Sequence, residues 1–314
     1  MLKIYKNELD QKETKEIQAI EENTWINLVN PTKEEISEVL KNISIDEDLI
    51  TKVLDEEELP RIEKTEKATL IVIDGPFMED TNIKNKYKTY PLGIIICEDL
   101  HIITVSLKDF SILKDFEEGK VSTFYTYKKT RFLIQILLKT ASTYLKALKQ
   151  VNEDIHKKEK KLVSSTTNKE LLELLNIEKT LVYFLTSLKA NDVVLEKLSK
   201  GNILDLYEED LELLEDTVIE NKQGIEMCSI YREILTSMSE TYGTIISNNL
   251  NVIMKFLAGI TIVLSIPTMI SSFLGMNVPL GNLGTNPLAF IYICFSSLIL
   301  SLIIAYILKK KDML

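Results

Sequence analysis

Thr261, Ser265, Thr268 and Ser272 follow one another at spacings of 4, 3 and 4 residues, within a stretch that carries no charged side chain from Phe256 to Leu308. That spacing sets the four hydroxyls on one face of a helix, opposite Ile262, Val263, Ile266, Ile270 and Phe273. The alternation runs back through Asn251, Asn248, Thr244, Thr241 and Ser237. Small hydroxyls on a membrane helix can serve close helix packing. A polar line that continues beyond the apolar stretch points also to contact with water. No catalytic motif accompanies it: there is no G-x-G-x-x-G, P-loop or G-x-S-x-G, and the histidines His101 and His156 lie far apart. His101, at the start of a strand, reads as a structural residue.

Two segments must position these groups. Phe256–Leu274 has 19 residues and Leu288–Leu308 has 21. As helices, either crosses roughly 30 Å of hydrocarbon. The break between them holds the helix-ending residues Gly275, Pro279, Gly281, Gly284 and Pro287, which predicts a transmembrane hairpin with a short external loop. Lys309, Lys310 and Lys311 place the end of the second span inside. The start of the chain has no apolar signal core, so the expectation is a multi-pass protein of the cell membrane with both termini cytoplasmic.

Residues 1–251 carry 33 Lys and Arg against 46 Asp and Glu, a formal charge of −13. Such an acidic part argues against a nucleic-acid partner. Cys97, Cys228 and Cys294 are scattered and form no metal or disulfide framework. Residues 1–125 read as a cytoplasmic α/β domain. Strands are expected at Leu2–Tyr5, Thr24–Val29, Thr69–Ile73, Gly93–Cys97 and Ile102–Ser106. Helices are expected at Thr32–Leu40, Asp46–Leu54 and Asp109–Glu118, and Thr32 with Glu35 forms a capping box. Residues 126–204 read as an antiparallel pair of helices, Arg131–Val163 and Asn168–Ser199, broken at Ser164–Thr167. The mixed charges around His156–Lys161 read as a solvated helix face. After a turn at Gly201-Asn202, residues 205–274 read as one stalk helix that continues into the first span. Its heptad-like apolar series is Val218, Ile225, Cys228, Leu235, Met238, Tyr242 and Ile245. The external loop is 275–287, the second span 288–308 and the basic tail 309–314. The fold class is an α+β domain with a long helical stalk and two C-terminal transmembrane helices.

Gly275-Met276-Asn277 closes the first span, and this triplet in this position resembles the signature of the CorA-type magnesium channels. The stretch from Asn251-Val252-Ile253-Met254-Lys255 to that triplet is similar to the family's pore helix. Trp25-Ile26-Asn27 and Pro60-Arg61-Ile62-Glu63 resemble its N-terminal domain. The resemblance implies a funnel-shaped homo-pentamer in the lipid bilayer. It passes Mg²⁺, and also Co²⁺ or Ni²⁺, down the electrochemical gradient; there is no cofactor and no enzymatic activity. It places Asn277, with Gly275 and Met276, at an outer filter ring, and Thr268 and Asn251 at polar pore positions. Leu257 falls at the apolar constriction and Met254 one turn further in; Thr261 and Ser265 complete the lining. A ring of amide oxygens can accept hydrogen bonds from the water shell that Mg²⁺ gives up reluctantly.

Regulatory Mg²⁺ is implied at Asp216, but the partner position holds Thr51-Lys52 where the family has an acidic pair, leaving Asp55 and Glu56 one turn on as substitutes. Ser265, Pro267 and a loop without an acidic residue are further departures. A zinc-transporting relative remains an alternative, as does a membrane-anchored α/β sensor or scaffold. The preferred metal is open at this point.

Overall fold

The structure, a computed structural model, describes residues 1–7, 14–79, 86–99, 101–121, 123–162, 168–200, 203–204, 206–276, 288–311 and 313. It divides into two compact units, Met1–Met238 and Ser239–Leu314.

In the first unit, seven strands form one sheet. They are β1 (Leu2–Asn7), β2 (Thr14–Ile17), β3 (Trp25–Val29), β4 (Arg61–Lys64), β5 (Ala68–Glu79), β6 (Lys86–Cys97) and β7 (Ile102–Ser106). Their order is β2-β1-β3-β7-β6-β5-β4, antiparallel throughout except for the parallel pair β3–β7. The runs rich in Ile and Val form strands as expected, and β5 and β6 extend to 12 residues each. Two strands, β2 (TKEI) and β4 (RIEK), had no such run to signal them. Both are edge strands with one neighbour, so pairing and not propensity makes them extended.

Alternation along the strands sends side chains to two cores. One holds Leu70, Val72, Ile103 and Val105 beneath Ile36, Val39 and Val53. These come from α1 (Lys33–Asn42) and from a short helix α2 (Asp48–Thr51) that tightens into a 3₁₀ turn, Lys52–Leu54. The single helix expected over Asp46–Leu54 is thus two pieces. Thr32 and Glu35 cap α1 reciprocally, as a capping box should. Gly93 lets the 3₁₀ turn approach β6: a Cβ there would lie 2.6 Å from Val53 Cγ2.

The opposite core centres on Trp25, which is fully buried, stacks on Tyr5 at 4.9 Å and meets Phe132 edge-on. Its Nε1 donates to Thr104 Oγ1 (2.9 Å), Thr104 donates to Asn27 Oδ1 (2.9 Å), and Asn27 Nδ2 donates to Glu117 (2.8 Å). Glu117 ends α3 (Ser111–Glu117). The Trp25-Ile26-Asn27 motif is therefore a core anchor with a polar chain attached.

Three long helices follow: α4 (Lys129–Leu162), α5 (Asn168–Ser199) and α6 (Glu208–Leu274). The expected turns at Ser164–Thr167 and Gly201-Asn202 lie outside the described residues. Tyr144 and Ser187 both bond to Asp74, and Lys158 pairs with Glu173, so α4 and α5 run in opposite directions. Arg131 meets Glu209, and Ser142 meets Glu220, so α6 runs parallel to α4. At 67 residues α6 is about 100 Å long. Within the first unit its buried seam is Leu214, Asn221, Cys228 and Leu235, spaced by seven. Of the expected series, Cys228, Leu235 and Tyr242 are buried, whereas Val218 and Ile225 are only half-buried. Polar Asn221 occupies a position that an apolar search passes over.

The edge of β5 shows how α5 is held. Strand β4 stops at the Arg61–Val72 pair, which leaves the backbone of Asp74 without a strand beside it. The Asn191 amide takes that place: its Oδ1 accepts from Asp74 N (2.9 Å) and its Nδ2 donates to Asp74 O (2.8 Å). The Asp74 carboxylate accepts from Ser187 Oγ at 2.6 Å. Burial pushes the Asp74 carboxyl above its ordinary value of 3.8, with the Ser187 bond opposing. A raised native pKa gives a contribution that is full below 3.8 and lost as pH climbs through the native value. Ionised Asp74 therefore costs stability at neutral pH. Asp74→Asn, which keeps an acceptor for Ser187, is expected to stabilise the full chain more at pH 7 than at pH 4, measured as denaturation midpoints in detergent. An equal effect at both pH values would contradict this assignment.

Candidate functional site

The second unit contains the end of α6 and a further helix, α7 (Ala289–Lys310). Both are long and apolar enough to cross a membrane. Along α6 the least exposed positions are Gly259, Val263, Ile266 and Ile270; along α7 they are Ala289, Ile293, Ser297, Ser301 and Leu308. The α6 set is spaced by three or four residues and the α7 set by four from Ala289 to Ser301, and both include small side chains of the kind that suits membrane-helix packing. The less exposed small residues are Gly259, Ala289, Ser297 and Ser301.

Thr261, Ser265, Thr268 and Ser272 occupy a different face. All four are exposed, and they line one open depression with Leu264 and Met269. Ile262 and Phe273, on the face opposite the hydroxyls, are 41% and 62% exposed. The hydroxyl protons are spent within the helix. Thr261 Oγ1 donates to Leu257 O (2.8 Å), Ser265 Oγ to Ile262 O (2.8 Å) and Thr268 Oγ1 to Leu264 O (3.1 Å). Each oxygen then offers only lone pairs outward. Because these hydroxyls leave no donor unsatisfied, the stripe does not by itself demand water.

The stronger demand comes from Asn248 and Asn251. Both are exposed, and neither amide bonds to a described residue. Pro267 removes the backbone donor to the Val263 carbonyl. Leu257 and Met254 are 57% and 62% exposed, so they too are free to meet something outside this chain.

Helix α6 ends with Gly275 N bonding to Ser271 O (2.9 Å) and Met276 N to Phe273 O (3.4 Å). Gly275 does not adopt a positive φ. Among the described residues, the glycine with positive φ is Gly119. The helical bond to Ser271 keeps Gly275 close to helical geometry, and a Cβ there would sit 3.4 Å from that oxygen. Asn277 lies outside the described residues, as does the rest of the expected loop to residue 287.

In the first unit Asp216, Asp55 and Glu56 are all exposed. Asp55 Oδ1 accepts from Glu57 N at 3.0 Å, closing its own turn. Lys52, which stands where a carboxylate was expected, reaches Glu63 Oε1 at 3.3 Å. Arg61 and then Lys52 hold the Glu63 carboxyl below its usual range. No group of three His, Cys, Asp or Glu among the described residues could hold a metal ion. A cavity of about 660 Å³ lies between the starts of α4 and α6, lined by Lys128, Lys129, Arg131 and Glu208–Asp210. Arg131 pairs there with Glu209 and Asp210, so the charges largely answer one another. His101 is buried with Nδ1 3.1 Å from Thr24 Oγ1, a packed side chain of the sheet.

An α+β unit together with two helices long and apolar enough to cross a membrane, one of them with an exposed face lined with oxygen, fits a membrane protein. The chain belongs to the CorA-like Mg²⁺ transporter protein family, whose profile matches residues 21–310. The cobalt/magnesium transport protein CorA of Methanocaldococcus jannaschii is 29% identical over 296 residues, 91% of this chain and 90% of that protein. The complete structure of that organism's CorA superposes with a TM-score of 0.84 at 26% identity, covering 98% of this chain and 96% of the other. The full-length CmaX protein (TM-score 0.72, 11% identity, 96% of each chain) shares the fold. So does the cytoplasmic domain of ZntB from Vibrio parahaemolyticus (TM-score 0.61, 10% identity, 79% of this chain and 97% of the other).

Whether the oxygen face meets water can be read with cysteines. Cys294 is exposed, whereas Cys97 and Cys228 are buried with thiols pushed up to about 12 by burial. In a Cys294→Ala background, Thr268→Cys in membranes is expected to react with a membrane-impermeant maleimide and Phe273→Cys is not. No reaction at Thr268→Cys would place the hydroxyl stripe against lipid or protein, and equal reaction at both sites would mean that water does not distinguish the two faces.

Proposed function

We propose that this chain forms a divalent-cation channel that admits Mg²⁺, and also Co²⁺ or Ni²⁺, across the cell membrane through a homo-pentameric pore. The observation that carries the reading is the exposed oxygen-bearing face of α6, continued by the amides of Asn248 and Asn251, which bond to no described residue. One such face encloses nothing; copies around an axis do. Family membership supports the cation class.

In this reading the Asn277 amides ring the outer mouth, next to Gly275 and Met276. They accept hydrogen bonds from the water shell of the ion without stripping it. Thr268, Ser265 and Thr261 continue inward as acceptor-only oxygens, suited to the outward-pointing hydrogens of a hydrated cation. Leu257 and Met254 form an apolar constriction that closes by dewetting, and Asn251 lies beyond it. The membrane potential drives the ion, at about 2.3 kcal/mol per charge per 100 mV. Both termini lie in the cytoplasm, and the chain performs no catalysis.

Cytoplasmic Mg²⁺ closes the channel by bridging Asp216 to Asp55 or Glu56 of a second copy. This works only if the closed state binds the metal more tightly. Lys52 does not oppose it, because Glu63 answers its charge.

Purified protein in liposomes is expected to take up Mg²⁺ when the interior is made negative. Asn277→Ala should lower that uptake at least about tenfold, the scale of a lost hydrogen bond to a charged shell. Uptake unaffected by Asn277→Ala would remove the filter from the reading, and uptake of Zn²⁺ in preference to Mg²⁺ would favour the zinc-transporting alternative. Asp216→Ala is expected to keep uptake and to raise the internal Mg²⁺ needed for closure. Unchanged closure would exclude Asp216.

A further inference from the structure

The seam that α6 presents to its neighbours contains one side-chain amide. Asn221 is 2% exposed, and its Nδ2 donates to Leu188 O (3.0 Å) and to Asp192 Oδ1 (3.3 Å), both on α5. One turn on, Gly224 brings the two helices close, since a Cβ there would lie 3.1 Å from Leu188 Cδ1. The same turn of α5 holds the sheet on its other side. Ser187 bonds the Asp74 carboxylate, and Asn191 clamps the Asp74 backbone at two points. Tyr144 of α4 adds a bond to the same Asp74 carbonyl at 3.2 Å.

Apolar contacts can slide by small steps, whereas a buried amide must find its own partners and so sets register. Other polar links join α6 to α4: Arg131 meets Glu209, which is 80% exposed, and the buried Asp210 at 3.5 Å, and Ser142 donates to Glu220. The Glu209 pair, on an exposed carboxylate, holds little, and none of these links reaches α5, where Asn221 bonds.

We infer that the α5 turn Ser187–Asp192 is the element through which the sheet positions α6, with Asn221 as the positioning residue that receives it. The inference rests on the channel reading for its consequence. A shift of the sheet reaches α6 at Asn221, in addition to the apolar contacts that Leu213, Leu214 and Val218 make with the shared core near the start of that helix. Asn221 touches no ion and acts only by fixing α6 relative to β5.

The test perturbs the sheet side and reads α6. In the full-length protein, amide hydrogen exchange of residues 217–225 is compared for the native chain, Asn191→Leu, Asn221→Leu and the double variant. Asn191→Leu is expected to speed exchange in that segment several-fold when Asn221 is present, and to add nothing in the Asn221→Leu background. An equal response in both backgrounds, or no response in the first, overturns the inference. If Asn221→Leu fails to fold, Asn221→Ser, too short to reach α5, takes its place with the same expectation.

In liposomes, Asn221→Leu should keep Mg²⁺ uptake at low internal Mg²⁺ but weaken closure as Mg²⁺ rises. Closure identical to the native protein also counts against the relay. Absence of uptake in the native protein would sink the channel reading while leaving the exchange result to judge the α5 turn.

Discussion

Inside hydrocarbon no water stands ready to accept or donate a hydrogen bond, so each polar group on a crossing helix must find its partner within the protein or along a wet surface. The last part of α6 meets that constraint in two ways. Thr261, Ser265 and Thr268 turn their protons back onto carbonyls of their own helix, which leaves oxygens that accept but do not donate. Asn248 and Asn251, which precede the apolar stretch, bond to no described residue and leave both amide ends open to water. Direction then decides the use of each face. The side bearing Gly259 and Ile266 is the less exposed one, and the oxygen side is left open. An acceptor-only surface suits a cation that arrives with its water shell, since the outward hydrogens of that shell are the donors it lacks.

The first unit solves a different problem, that of holding a helix of 67 residues to a sheet. Its apolar cores are ordinary two-faced packing around β5, β6 and β7. The specific part is polar and confined to one place. Strand β4 is short, the edge of β5 is open at Asp74, and Asn191 closes it as a further strand residue would. One turn of α5 therefore has a strand bonded to one flank and Asn221 of α6 bonded to the other. A helix so long needs a fixed point, because an unbranched rod held only by apolar contacts can rotate or slip at little cost.

Much of this was legible in the residues. Runs of Ile and Val alternate or cluster over strand-like lengths, Thr32 and Glu35 stand three apart, and two uncharged stretches have the length of a bilayer crossing. Less was legible where a neighbour decides the outcome. TKEI and RIEK become β2 and β4 only because β1 and β5 offer free edges. The buried seam of α6 runs through Asn221, which a search for apolar side chains does not register. Gly275, read as a helix-ending residue, still makes the helical hydrogen bond to Ser271.

The order of residues by itself determined which segments are apolar, where helices begin and which side of α6 carries oxygen, because periodicity and capping act over a few positions along one chain. Tertiary structure decided which of those faces is covered, and that one turn of α5 bonds to Asp74 of the sheet through Asn191 and to Asn221 of α6. Those bonds join groups separated by 29 to 117 positions, and no local pattern can register a partner so distant along the chain.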